Sequence, residues 1–301
     1  MLLIYGVEGT IFIPYHFMKK VKNILISGAA GLPIALDLFF TDQKQQPLVI
    51  YAHGFNGFKD WARFDLIAEQ FAVRGFCFLK FNFSHNGTSP EAPEEFVNLE
   101  AYGHNNYTKE LFDLQTVIDW ALSENNPHAR AIDKDKVFLI GHSRGGGVVL
   151  LKAAEEKRIK AVTTWASVAE CKTPWGSWPP ERMAQWRQTG VEHYTNSRTK
   201  QQMPLYYQLY EDYQQNKERL DIMKAIRQIE IPILICHGTQ DEAVAVEKAY
   251  QLNAAAKKGE LFIAESDHVF GRRHPWPESH LPQPMQDVVD KTIAFFQNAT
   301  A

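Results

Sequence analysis

The chain has 301 residues, of which 45% are hydrophobic and 22% charged, a composition that fits an ordinary globular protein. That length holds one large domain or two of average size. The net charge of −3, with Lys and Arg scattered along the chain, excludes an electrostatic case for nucleic acid or an anionic membrane as partner.

Residues 1–17, MLLIYGVEGTIFIPYHF, are apolar but carry Glu8, two glycines and a proline. No positive charge precedes the apolar part, which argues against a secretory signal. The run is too short and too interrupted for a membrane-spanning helix. Met18 is followed by Lys19 and Lys20, which leaves two readings open. Residues 1–17 are either an extension ahead of a start at Met18 or a true N-terminal strand.

Short β-rich runs then alternate with longer helical patterns. The expected strands are Val21–Ser27, Ile34–Phe40, Pro47–His53, Phe76–Phe83, Val137–Gly141, Ile159–Ser167, Pro232–Gly238 and Glu260–Ala264. Several are nearly continuous apolar runs, as parallel strands covered on both faces require. Helical periodicity covers Asp60–Arg74, Tyr107–Ser123, Gly145–Glu155, Ala243–Ala256 and Gln286–Asn298. The predicted class is therefore α/β, a doubly wound and mostly parallel eight-stranded sheet with an antiparallel start. Residues 168–228 break the rhythm with YYQLYEDY, Trp175, Trp178 and Trp186, and show no strand pattern. The stretch is too long for a plain connection. It reads as a small helical lid inserted after the sixth strand, or as a helical decoration without a role at a site. The core is then 18–167 plus 229–301.

Cys77, Cys171 and Cys236 are odd in number and form no C-x-x-C pair. They argue against a disulfide framework and for a reducing compartment, so the expected location is the cytoplasm. Cys77 and Cys236 sit in strand-like runs and read as small buried hydrophobes.

Residues 139–150, LIGHSRGGGVVL, carry the chemistry. Gly141-His142-Ser143-Arg144-Gly145 fits G-x-S-x-G between a predicted strand and a predicted helix, the context of a nucleophile elbow. A serine hydroxyl needs a base to take its proton. Among eleven histidines, His268 in LFIAESDHVFG follows the last predicted strand and is the expected base. Asp241 in ILICHGTQDEAV, just after another strand, is the expected acid that orients it. Glu242 lies one residue further on, and Asp267 adjoins His268. A tetrahedral intermediate needs backbone N–H donors. The N–H of Arg144 follows the nucleophile, and the N–H of Phe55 sits in the His53-Gly54-Phe55 turn after the strand PLVIYAHGF.

Elbow, acid loop, histidine loop and H-G-F turn together resemble the α/β-hydrolase superfamily, from about residue 20 to the end. The turn, FNFSHNGTS and the insertion after the sixth strand are similar to bacterial cinnamoyl/feruloyl esterases and serine-aminopeptidase-like hydrolases. Asn82 and SHNGTS depart from the Asp and the GHGDS usual in those relatives. The resemblance implies catalytic roles for Ser143, His268 and Asp241, and oxyanion roles for Phe55 and Arg144. Weaker substrate-binding candidates are Trp175, Trp178, Tyr206, Tyr207 and Tyr210 in the insertion. Arg272, beside Arg273 and His274, is a candidate for attracting a substrate carboxylate. His268, His274 and His280 share no helix or strand face and have no carboxylate cluster, so no metal site is expected.

The reading is a serine hydrolase of a small-molecule carboxylic ester, needing no cofactor and no metal, with no nucleic-acid or membrane partner. A homodimer stays open. An aminopeptidase, amidase or thioesterase using the same three residues is the alternative, with lid acids Glu170, Glu181, Glu192, Glu211 and Asp212 as grips for an amine. An inactive ligand-binding relative is the alternative of another class.

Overall fold

A computed structural model describes residues 17–300. Apart from Phe17, the two readings of residues 1–17 lie outside the described residues. The strands are β1 (Lys19–Ser27), β2 (Pro33–Phe40), β3 (Gln46–Ala52), β4 (Cys77–Asn82), β5 (Ile132–His142), β6 (Ile159–Trp165), β7 (Val191–Thr195), β8 (Gln202–Tyr206), β9 (Ile233–Gly238) and β10 (Gly259–Ala264). The α-helices are α1 (Asp65–Val73), α2 (Leu99–Gly103), α3 (Tyr107–Leu122), α4 (Arg144–Glu155), α5 (Pro180–Thr189), α6 (Gln208–Gln215), α7 (Ile222–Gln228), α8 (Glu247–Ala255) and α9 (Gln283–Thr300).

The main sheet has eight strands in the order β1-β2-β4-β3-β5-β6-β9-β10. β2 runs antiparallel to both β1 and β4, and the pairs from β4 through β10 are parallel. Alternate residues of one strand face opposite sides of a sheet. On β5, Val137 and Leu139 join the core under α3 and α4, whereas Phe138 and Ile140 join the core under α1 and α9. This two-sided burial explains the unbroken apolar runs in the sequence. Phe138 stacks on Phe296 of α9 at 4.7 Å, and burying one such ring contributes about 1.5–3 kcal/mol. Trp165 at the end of β6 donates its indole N–H to Thr292 Oγ1 at 3.1 Å, which satisfies the polar atom of a fully buried ring.

Two expectations change. Residues 168–228 are not all helical: β7 and β8 form a two-stranded antiparallel sheet between α5 and α6. The helix expected from Asp60 starts at Asp65 instead. Asp60 is drawn into a buried ionic cluster. Lys59 Nζ lies 2.8 Å from Asp37 and 2.6 Å from Asp60. Lys80 Nζ lies 3.0 Å from Asp37 and 2.7 Å from Asp65, and also contacts Asp60. Burial alone would lower the Lys80 pKa, but the charges of Asp60, Asp37 and Asp65 outweigh it and raise it. The three carboxylates converge closely enough to hold a cation, and the two ammonium groups take that place.

The cluster locks the segment after β3 onto β2 and β4. Removing one member of a buried ion network leaves charge uncompensated. Lys80→Met should therefore lower the urea-unfolding free energy by about 3–5 kcal/mol. A loss under about 1 kcal/mol would mean that the cluster behaves as a solvated surface network.

Candidate active site

β3, β5, β6, β9 and β10 run parallel, so the loops after them emerge on one edge of the sheet. That edge is where ligands bind in open α/β sheets. Ser143 follows β5 directly and has φ 55° and ψ −119°, a conformation costly for a non-glycine residue. The surroundings over-determine it. Ser143 N–H donates to Trp165 O at 2.9 Å, and Ser143 O accepts from Gly146 N at 2.9 Å and Val168 N at 3.2 Å. A Cβ on Gly145 would meet the carbonyl oxygens of Ala52 and His53, each at 2.4 Å, so only glycine lets α4 start this close to β3. A Cβ on Gly54 would come within 2.9 Å of Ser143 Cβ, which sets the 53–58 segment beside the serine. Arg144 opens α4, where the first N–H groups have no intrahelical acceptor.

Asp241 and His268 are hydrogen-bonded to each other. His268 Nδ1 donates to Asp241 Oδ2 at 2.7 Å, which leaves Nε2 as the proton acceptor. Asp241 Oδ1 accepts from Ala243 N at 2.9 Å and Val244 N at 2.8 Å. His237 Nε2 lies 2.8 Å from Val244 O and 3.1 Å from Asp241 Oδ2. Burial works against the Asp241 charge, but the hydrogen bonds of His237, His268 and Val244 and the His268 charge hold its carboxyl well below the usual range. Asp267 does not compete, because its Oδ1 accepts from Val269 and Gly271 N–H.

Two other histidines brace the site in neutral form. His53 Nδ1 donates to Gly54 O at 2.9 Å, and its Nε2 accepts from Phe83 N at 3.3 Å. Burial lowers its pKa to about 4. His142 Nε2 donates to His268 O at 2.9 Å and so fixes the histidine loop from the end of β5. Burial, then the neighbouring His268 charge, lowers its pKa to about 3.

Ser143, His268, His142, His53, Phe55, Trp61 and Arg272 line one cavity of about 170 Å³. The structure thus brings together the serine, the histidine, the Phe55 turn and Arg272. The insertion aromatics Trp175, Trp178, Tyr206, Tyr207 and Tyr210 do not line this cavity, a correction to the sequence reading. They complete the insertion itself. Trp175 packs edge-on to Tyr210, and Trp186 contacts both Trp178 and Tyr207. Tyr206 hydrogen-bonds Glu100 at the surface. The insertion reaches the site through Tyr194 on β7, a residue the sequence did not single out. Tyr194 and Tyr102 hydroxyls lie 2.5 and 2.6 Å from Asn56 Oδ1, beside Phe55. Asn82, where the sequence departs from its relatives, accepts from Lys59 N at 2.6 Å and holds the same loop. The Arg144 side chain is structural: it pairs with Glu110 at 2.9 Å and bonds Thr173 O at 3.1 Å.

Residues 47–202 match the sequence pattern of the alpha/beta hydrolase fold, and the chain belongs to that family. The fold and family make this chain a hydrolase-family protein. The quorum-quenching protein AidA of Acinetobacter baumannii is 30% identical over 122 residues, 40% of this chain and 36% of AidA. The uncharacterized peptidase YuxL of Bacillus subtilis is 25% identical over 260 residues, 83% of this chain and 34% of YuxL. The chain thus spans between 34% and 39% of the length of the curated relatives it matches. Est1E of Butyrivibrio proteoclasticus, solved with ferulic acid, superposes with TM-score 0.67 at 18% identity over 92% of this chain and 99% of Est1E. At that identity the likeness concerns the fold. Among the described residues, no helix is long and apolar enough to cross a membrane.

The braced histidines set a pH prediction. His53 and His142 ordinarily titrate near 6.5, but in the fold at about 4 and about 3. Below pH 6.5 the unfolded chain binds protons that the folded chain refuses, so stability falls with pH. Each contributes a slope of about 1.4 kcal/mol per pH unit between these limits. Asp113, raised to about 6 by burial, acts in the opposite sense between its ordinary 3.8 and about 6. Urea midpoints should drop from pH 7 to pH 4, less steeply in His53→Phe. A midpoint rising over that range would overturn the neutral assignment.

Proposed function

We propose that the chain is a serine hydrolase that cleaves small carboxylic esters through an acyl-enzyme. The observation that carries this reading is His268, bonded to Asp241 at 2.7 Å and lining the cavity that also holds Ser143 at its positive-φ turn. In this mechanism Ser143 Oγ attacks the ester carbonyl carbon while His268 Nε2 takes its proton. The N–H groups of Phe55 and Arg144 hold the oxyanion. The bond to the alkoxy oxygen breaks, and His268 returns the proton to that oxygen. Water then attacks the acyl carbon, gives its proton to His268, and the bond to Oγ breaks as Ser143 is reprotonated. Asp241 keeps the His268 tautomer and stabilises its charged form. No step needs a cofactor or metal.

The cavity is smaller than pockets that enclose drug-sized ligands, which run to roughly 300–1,000 Å³. That favours a short acyl group. Among the described residues no carboxylate lines the cavity, so a free amine has no counter-ion there. Glu170 and Glu192 of the insertion are paired with Lys172, Lys248 and Arg182. These features favour ester over aminopeptide substrates. Residues 168–228 act as the lid, clasped to the oxyanion loop by Tyr194. The three unpaired buried cysteines support a reducing compartment, the cytoplasm.

Ser143→Ala should lower kcat on p-nitrophenyl acetate by about 10⁴-fold or more, with unchanged circular dichroism. His268→Gln should lose activity on the same scale. Full turnover by Ser143→Ala would rule out the acyl-enzyme.

A further inference from the structure

The cavity has a cationic wall that acyl transfer does not use. Arg272 is 3% exposed and lines the cavity with Ser143 and His268. Its Nε donates to Val269 O at 3.3 Å, and its Nη1 is buried with no protein partner. Trp61 and Phe64 rings lie 5.3 and 5.4 Å from the guanidinium carbon. Asp267 is the carboxylate whose field reaches Arg272, yet Asp267 Oδ1 is occupied by the N–H groups of Val269 and Gly271. Burial pulls the Arg272 pKa down to about 10, against the fields of Tyr51 and Asp267, so it stays cationic at neutral pH. The other buried arginine of the site, Arg144, has its own counter-ion in Glu110.

A desolvated guanidinium with a free N–H group is a strong donor to a carboxylate. The neighbouring histidines His53 and His142 are neutral and offer it no competing anion. The cavity volume of about 170 Å³ corresponds to roughly five to six waters, space for a short acid-bearing group and little more. We propose that Arg272 binds an anionic group of the substrate, and that the substrate is a small ester carrying a carboxylate within a few bonds of the scissile carbonyl. This rests on the esterase reading above. Arg272 is then a specificity-determining residue for that reaction. The carboxylate belongs either to the acyl half or to the alcohol half, and the test separates the two.

The test compares kcat/KM for monomethyl succinate, acetoxyacetate and neutral methyl butanoate. Wild type should prefer one of the two anionic esters by about tenfold or more over methyl butanoate. Preference for monomethyl succinate places the carboxylate on the acyl side, and preference for acetoxyacetate on the alcohol side. In Arg272→Met the ratio of anionic to neutral ester should fall to about one, and Arg272→Lys should restore part of it. A wild type without preference, or a preference intact in Arg272→Met, would overturn the proposal. Calorimetric titration of monomethyl succinate and acetoxyacetate into Ser143→Ala and into Ser143→Ala/Arg272→Met adds a readout independent of turnover. Affinity for the preferred anion should fall about tenfold in the double variant. Equal affinity would refute the role of Arg272. If Ser143→Ala still hydrolyses esters, the esterase reading falls, and the calorimetry decides on Arg272 by itself.

Discussion

The turn at Ser143 is the constraint on which the site depends. A serine at φ 55° and ψ −119° is uphill by about 1–3 kcal/mol, so the protein must hold it there. It does so through the sheet. Ser143 N–H extends the β5–β6 pairing by one rung to Trp165 O. Gly145 lies against the carbonyls of Ala52, the last residue of β3, and of His53 after it. A one-residue slip of β5 would turn Ser143 to the other face and break both contacts. The large burial of β5 on both faces therefore fixes the register, and the register fixes the serine. The loops carrying Phe55, Asp241 and His268 gain their positions from the same edge of the same sheet.

The electrostatics follow a division of labour among histidines. His53, His142 and His237 are tied to backbone carbonyls and act as rigid braces. Burial keeps His53 and His142 neutral, so neither adds charge beside the serine. His268 is less buried and bonds a carboxylate through Nδ1, the arrangement that lets its far nitrogen take and return a proton. The bracing also runs from one part to the next. His142 holds the His268 backbone, and Asn82, Tyr102 and Tyr194 hold the loop that presents Phe55.

The parts visible in the sequence were those with a strong local signature. Strands buried on both faces read as continuous apolar runs, and the elbow reads as small residues at fixed offsets around one serine. The hairpin in the insertion was hidden because β7, VEHYT, and β8, QMPLY, are short, partly exposed, and interrupted by Pro204. α2 has five residues, too few to show a period. The first turn expected of α1 was lost because Asp60 and its neighbours serve tertiary ion pairs that periodicity cannot reveal. Insertion aromatics look alike in sequence, and packing sends Trp186 to the insertion core and Tyr194 to the Phe55 loop.

Arg272 and Arg273 make the same point at the scale of one residue. They are chemically identical and adjacent, yet Arg272 is buried and Arg273 exposed. A solvated arginine says little about function, because water satisfies it. A buried one has lost that water, and the protein must replace it or pay in stability. The rings of Trp61 and Phe64 return part of the loss, at roughly 0.5–2 kcal/mol each. Val269 O takes the Nε proton. What remains unsatisfied is Nη1, in a residue that lines the cavity holding Ser143. Among the described residues, the buried charges of Arg144 and Asp241 have Glu110 and His268 as partners, whereas no ion pair is formed by Arg272, and that asymmetry is what the proposed substrate anion would resolve.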